Sequence, residues 1–130
     1  MFFRHQILTF IWAIFIAFAT LTPGESMPEV NFWDFANADK LAHFGAFAVL
    51  SFLMIRGFSL KSSLFGLKSK KIIFTIVITI MYGGLIEYAQ SFIPGRSIEF
   101  NDMLANGFGS AIGVFVYLFL KKNNFFGDFL

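Results

Sequence analysis

Cysteine is absent from this 130-residue sequence, and charged residues are scarce. The absence of cysteine excludes disulfide bonds, thiolate metal sites and cysteine nucleophiles. Charged residues make up only 14% of the chain, whereas soluble domains carry about 25%. The 21 phenylalanines alone outnumber the ten Lys and Arg and the eight Asp and Glu taken together. A small soluble enzyme is therefore excluded, and the composition is that of a protein whose solvent is lipid.

Four apolar runs without any charged residue dominate the sequence, at 7–22, 41–55, 72–86 and 103–120. A helix needs about 20 residues to cross a bilayer core of about 30 Å. Each run is slightly shorter than this, so flanking polar residues must enter the membrane edge. We predict an all-α fold, a polytopic membrane helix bundle with four transmembrane helices at about 7–22, 40–58, 72–91 and 102–120, in a single domain 1–130.

The lysine and arginine residues fall mainly on one side of the predicted membrane. That side holds Arg4, Arg56, Lys61, Lys68, Lys70, Lys71, Lys121 and Lys122. The other side holds only Lys40 and Arg96, together with every acidic residue except Asp128. By the positive-inside rule, both termini are expected in the cytoplasm.

The first run has a second interpretation. Arg4, the apolar stretch and Ala17-Phe18-Ala19 fit a signal peptide with an Ala-x-Ala cleavage site. The turn at Thr22-Pro23-Gly24 favours a retained span instead. Cleavage would leave the other three spans in the same orientation, so predictions about the polar residues on those spans do not depend on this choice.

Each of the last three spans carries a polar stripe when its residues are placed at 100° intervals. The stripes contain Asp39 and His43 in one span, Glu87 and Gln90 in the next, and Asp102 and Asn106 in the last. The helical rise brings His43, Glu87 and Asn106 to a similar depth. Because polar groups that face lipid are costly, we expect the stripes to turn toward each other. The sequence thus predicts a polar pocket that opens to the outer surface, covered by Lys40 and by the loop containing Arg96.

Glycines lie on or near these stripes. Gly109 and Gly113 form a G-x-x-x-G on the face of Asp102, and Gly45, Gly83 and Gly84 lie near the pocket level on the other helices. Small residues let helix backbones approach closely. We expect these glycines to position the helices rather than to take part in chemistry.

The polar residues together resemble the signature of the VanZ-like family of membrane proteins. The matching pieces are Asp39-Lys40-x-x-His43-Phe44, Glu87-x-x-Gln90, Arg96, and Asp102-x-x-x-Asn106-x-x-Gly109-x-x-x-Gly113, and they cover about residues 22–120. The resemblance implies a small multi-pass protein of the bacterial cytoplasmic (inner) membrane with a role at the cell envelope. The founding member is associated with resistance to the glycopeptide antibiotic teicoplanin, but the family is broad, and resistance is not assigned to this chain.

The leading functional hypothesis is recognition of an anionic lipid-linked or cell-envelope headgroup at the outer leaflet. Lys40 and Arg96 would hold phosphate or carboxylate, while Gln90 and Asn106 would form hydrogen bonds with hydroxyl and amide groups. The substrate-binding residues of this hypothesis are Asp39, Lys40, Gln90, Arg96, Asp102 and Asn106. The expected partners are membrane lipids and a lipid-linked cell-wall precursor or another envelope headgroup.

The alternative is a membrane-embedded enzyme that acts on a lipid-linked envelope substrate. In that hypothesis His43 and Glu87 are the catalytic acid and base, and Asp39 orients His43 from one helical turn away. A divalent metal on His43, Glu87 and Asp102 is chemically conceivable, but no two of them form a spaced metal-binding motif. The sequence predicts neither a metal site nor a cofactor.

A third hypothesis gives these residues only a structural role. Glu87 would pair with Arg96, Lys40 with Asp102, and His43 with Asn106 or a backbone carbonyl. A nucleic-acid partner is not expected, because the cations are few and a membrane divides them.

Overall fold

The computed structural model describes residues 2–22, 38–60, 68–94, 98–125 and 127. These residues form four helices, which are α1 (Phe2–Leu21), α2 (Ala38–Leu60), α3 (Lys68–Gln90) and α4 (Phe100–Lys122). All four are long and apolar enough to cross a membrane. At 1.5 Å per residue, a helix of 23 residues reaches about 34 Å, which exceeds the apolar thickness of a bilayer. The predicted all-α bundle with four transmembrane helices is confirmed.

Contacts between the helices establish an up-and-down bundle. Lys40 lies near Asp102, and Phe44 contacts Gly109, so α2 and α4 run in the same direction. His43 at the start of α2 meets Glu87 at the end of α3, so these two helices are antiparallel. Thus α2 and α4 begin at the same end of the bundle at which α3 ends. We call this the cluster end, because the polar residues Lys40, His43, Glu87 and Asp102 meet there.

Glycine determines how closely α4 approaches α2. A Cβ atom at Gly109 would collide with the backbone carbonyl of Phe44, and one at Gly113 would collide with the carbonyl of Ala48. The contact between α2 and α4 is the most extensive in the described part of the chain. The G-x-x-x-G therefore has the packing role expected of it.

The other pocket-level glycines differ from one another in their surroundings. A Cβ atom at Gly83 would lie 3.1 Å from Asn106 Nδ2, so this glycine makes room for the Asn106 side chain. A Cβ atom at Gly45 or Gly84 would have no neighbouring atom within 4 Å. Of these three glycines, only Gly83 lies against the polar residues.

Polar side chains attach α1 to its neighbours. The Trp12 indole donates to the carbonyl of Ala46 in α2, at 2.9 Å. The Tyr82 hydroxyl of α3 donates to the carbonyl of Ala13, at 2.6 Å. Hydrogen bonds of this kind join transmembrane helices, where lipid supplies no hydrophobic driving force between them.

Apolar side chains divide into a buried set and an outward set. Ile16, Phe47 and Leu50 pack together between α1 and α2, and Ile55, Val114 and Tyr117 pack near the opposite end from the polar cluster. Large apolar side chains such as Ile14, Phe18 and Phe115 are exposed on the outside of the bundle. An exterior of this kind suits a lipid environment.

Candidate functional site

A buried polar cluster forms where three helices meet at the cluster end. It consists of His43 from α2, Glu87 from α3, and Asp102 and Asn106 from α4. Each of these residues has at most 5% of its surface exposed. The helical period puts Asp102 and Asn106 on one face of α4, and Gly83 and Gly109 leave space for α3 and α2 to approach that face. The structure therefore brings together polar residues that lie far apart in the sequence.

His43 lies at the centre of the cluster. Its Nδ1 atom is 3.0 Å from Asn106 Oδ1 and 3.8 Å from Glu87 Oε1. An amide oxygen can only accept a hydrogen bond, so Nδ1 carries the hydrogen and donates it to Asn106. The other ring nitrogen, Nε2, points toward Asp39, with 3.8 Å between Nε2 and Asp39 Oδ1. The imidazole thus has a defined orientation, with Nε2 directed toward the more exposed side of the site.

Lys40 and Glu99 form the mouth of the site. The Lys40 Nζ atom lies 3.6 Å from Glu99 Oε2 and 3.9 Å from Asp102 Oδ1. The side chains of Lys40 and Glu99 are partly or largely exposed, whereas only 6% of the Asp102 side chain is exposed. Asp39 is also exposed, at 64% of its side chain. The polar residues therefore continue from the surface into the buried cluster.

Three buried atoms of the cluster have no hydrogen-bond partner among the described residues. They are Glu87 Oε1, Asp102 Oδ1 and Asn106 Nδ2. Buried polar atoms are nearly always hydrogen-bonded in folded proteins, and each exception needs an explanation. The two carboxylate oxygens can accept a hydrogen bond, and the amide nitrogen can donate one. The cluster thus has unused hydrogen-bonding capacity of both kinds.

The described part of the site is acidic. Asp39, Glu87, Glu99 and Asp102 supply four carboxyl groups, against one lysine, Lys40, and His43. A bare anion would meet repulsion in the buried part of the site. Positive groups or hydrogen-bond donors are the ligand features that suit this environment.

One group of side chains in the site has the composition of a metal-binding set. The potential ligand atoms of Asp39, His43 and Asp102 all lie within 4.8 Å of one another. The metal set conceivable from the sequence combined His43 and Asp102 with Glu87 instead. The structure places Glu87 on the Nδ1 side of the imidazole, away from the Nε2 atom that faces Asp39.

Two residues of the sequence-based site lie elsewhere or cannot be placed. Gln90 is buried at the end of α3, and its Nε2 atom donates to the carbonyl of Thr20 in α1, at 3.0 Å. The helical period places Gln90 and Glu87 on one polar stripe, but their directions around the axis of α3 differ by 60°. This difference lets Gln90 face α1 while Glu87 faces the cluster. Arg96 lies outside the described residues.

Glu99 is a residue of the site that sequence reasoning did not select. It is the N-cap residue of α4, and it forms an ion pair with Lys40. The sequence feature that could have identified Glu99 is its position three residues before Asp102, because residues at that spacing lie near the same helix face.

Comparison with known protein families identifies the family of the chain. The model of the VanZ/LLP1 family matches residues 2–121, which include all of α1, α2 and α3 and all but the last residue of α4. No curated protein and no solved structure matches the chain. Because the family match covers nearly the whole sequence, this four-helix membrane protein belongs to the VanZ/LLP1 family.

Proposed function

We propose that this protein recognises the polar headgroup of a lipid or lipid-linked cell-envelope molecule, from a bacterial cytoplasmic membrane in which both of its termini are cytoplasmic. One observation carries the proposal, namely the three buried atoms of Glu87, Asp102 and Asn106 that have no hydrogen-bond partner among the described residues. An unsatisfied buried polar group costs about 1–3 kcal/mol. A ligand that supplies the missing partners gains that free energy on binding.

The chemistry of the three atoms defines the inner part of the ligand. The oxygens of Glu87 and Asp102 require donors, such as sugar hydroxyls or an amine. The Asn106 Nδ2 atom requires an acceptor, such as a hydroxyl or carbonyl oxygen. The acidic surroundings favour this donor-rich group over an anion in the buried part of the site.

An anionic group fits better at the mouth of the site. Lys40 is only partly buried there, and its ammonium group can exchange Glu99 for a phosphate. In the hypothesis drawn from the sequence, Arg96 is a second cation that binds the anionic group together with Lys40. A lipid-linked sugar phosphate has both parts, a phosphate for the mouth and hydroxyl groups for the cluster.

Isothermal titration calorimetry on the purified full-length protein in detergent micelles tests the proposal. The probes are N-acetylglucosamine 1-phosphate, N-acetylglucosamine and inorganic phosphate. We expect the sugar phosphate to bind more tightly than either part alone. Glu87→Gln should weaken its binding by about tenfold or more, because the change replaces a charged acceptor with an amide and loses about 1.5–3 kcal/mol.

Lys122→Gln provides the matched control, since Lys122 is exposed at the opposite end of α4. Its affinity for the sugar phosphate should equal that of the wild type. Thermal unfolding of both variants establishes that they are folded. Unchanged affinity in folded Glu87→Gln, or failure of the wild type to bind any of the three probes, would contradict the proposal.

A second candidate function is acid–base catalysis on the same headgroup. The defined orientation of the imidazole favours it, because Nδ1 donates to Asn106 and leaves Nε2 free to accept a proton near the mouth. Incubation of the reconstituted protein with a lipid extract of its host distinguishes catalysis from binding. Catalysis predicts a product that mass spectrometry detects and that His43→Gln abolishes, whereas binding alone leaves the lipid masses unchanged.

A further inference from the structure

We propose that Asp39, His43 and Asp102 form a binding site for a divalent transition-metal ion such as Zn²⁺ or Mn²⁺. Their potential ligand atoms lie within 4.8 Å of one another. One imidazole and two carboxylates are ligands that both ions accept. This inference goes beyond the proposed function, because a cation on these three residues does not require a headgroup.

The imidazole of His43 is oriented as a metal ligand. The hydrogen bond from Nδ1 to Asn106 Oδ1, at 3.0 Å, leaves the lone pair on Nε2. Histidines that bind metals almost always donate their other ring N–H to a carbonyl or carboxylate, which fixes the ring and increases its basicity. Asn106, with the Glu87 carboxylate 3.8 Å from the same Nδ1 atom, provides that outer support.

Electrostatics supply a second reason for a cation. The lone pair of Nε2 faces Asp39, with 3.8 Å between Nε2 and Asp39 Oδ1, and the potential ligand atoms of Asp39, His43 and Asp102 lie within 4.8 Å of one another. The two carboxylates repel each other, and the single positive charge of Lys40, whose Nζ atom is 3.9 Å from Asp102 Oδ1, offsets only one of their two negative charges. A divalent ion provides two positive charges and binds all three groups directly.

Asp102 is an independent indication of a ligand. Its side chain is only 6% exposed, and its Oδ1 atom has no hydrogen-bond partner among the described residues. Lys40 Nζ is 3.9 Å from that oxygen, which is too long for a hydrogen bond. A metal–oxygen bond would satisfy this buried atom.

The geometry can adjust to an ion. Ligand atoms around a tetrahedral Zn²⁺ are separated by about 3.4 Å, as follows from bond lengths near 2.1 Å. His43 Nε2 and Asp39 Oδ1 are 3.8 Å apart, and the Asp39 side chain is 64% exposed, so it can rotate toward Nε2. Three protein ligands would leave one coordination position open.

The test measures metal binding by the full-length protein in detergent micelles, after treatment with a chelator and without any headgroup probe. Calorimetric titration with Zn²⁺ should give one ion per chain, and Mg²⁺ should bind more weakly, because Mg²⁺ prefers oxygen ligands. We expect Asp39→Asn and Asp102→Asn each to weaken Zn²⁺ binding by about tenfold or more, since even the loss of an outer partner that hydrogen-bonds to a metal ligand costs 10-fold to 100-fold.

Glu99→Gln is the matched control, since it removes a neighbouring carboxylate that pairs with Lys40 but is not in the ligand set. It should keep the Zn²⁺ affinity of the wild type. Asp39→Asn changes an exposed side chain, so its metal-free stability should equal that of the wild type, and misfolding cannot account for a loss of binding.

Two results would overturn the inference. One is the absence of Zn²⁺ binding above that of empty micelles, which would show that the three side chains do not form a metal site. The other is an equal loss of affinity in Glu99→Gln and Asp39→Asn, which would indicate diffuse attraction to acidic groups. Either result leaves the headgroup titration unaffected, so failure of this inference and failure of the proposed function are distinguishable.

Discussion

His43 is held by side chains of the two other cluster helices, with its Nδ1 atom 3.0 Å from Asn106 Oδ1 and 3.8 Å from Glu87 Oε1. The structural hypothesis paired His43 with Asn106 and Lys40 with Asp102, and both pairs are close in the structure. They could be predicted because the helical period and the membrane depth of each residue follow from the sequence. The contact of Gln90 could not be predicted, because its direction depends on where α1 packs, and the polar stripe of α3 does not show this.

Single hydrogen bonds from side chains to backbone carbonyls should contribute measurably to stability. Tyr82→Phe removes the bond from the Tyr82 hydroxyl to the Ala13 carbonyl and keeps the ring. We expect the free energy of unfolding in detergent micelles to fall by about 0.5–1.5 kcal/mol. Tyr88→Phe is the control, because Tyr88 is 59% exposed on the same helix, and its effect should be close to zero. Equal effects of the two substitutions would show that the Tyr82 bond does not stabilise the bundle.

At the scale of elements, the site depends on how closely α2, α3 and α4 approach one another. Four transmembrane helices were predictable because long uncharged runs have few alternatives in a membrane. The G-x-x-x-G of α4 also indicated a close contact, although the sequence could not identify α2 as its partner. That choice depends on the detailed fit of Gly109 against Phe44 and of Gly113 against Ala48.

Adding a methyl group at the closest contact should separate α4 from α2. Gly109→Ala places a Cβ atom against the Phe44 carbonyl, so we expect the protein to lose about 1–3 kcal/mol of unfolding free energy. Gly84→Ala is the matched control, because its Cβ atom would have no neighbour within 4 Å. Alanine favours a helix over glycine by about 0.5–1 kcal/mol, so this control should be neutral or stabilising. Chemical unfolding in micelles measures both, and a Gly109→Ala protein as stable as Gly84→Ala would contradict the proposed packing.

At the scale of the whole molecule, the cluster lies at one end of the bundle rather than at its middle. Asp39, Lys40 and Glu99 continue the polar residues to the surface at that end, while Ser69 and Lys70 are exposed at the opposite end, where α3 begins. The distribution of lysine and arginine predicts that this lysine-rich end faces the cytoplasm. A headgroup site at the cluster end would then be open to the outer side of the membrane.

Thiol labelling in intact cells is the most direct test of an outward-facing polar site. The sequence has no cysteine, so a single introduced thiol is the only labelling site in the chain, which is purified before its label is measured. Ser91→Cys lies just after α3 at the cluster end, and Ser69→Cys lies near the start of the same helix. A membrane-impermeant maleimide should label Ser91→Cys in intact cells and Ser69→Cys only after the membrane is permeabilised. Labelling of Ser69→Cys alone in intact cells would place the polar cluster on the cytoplasmic side and contradict an outward-facing headgroup site.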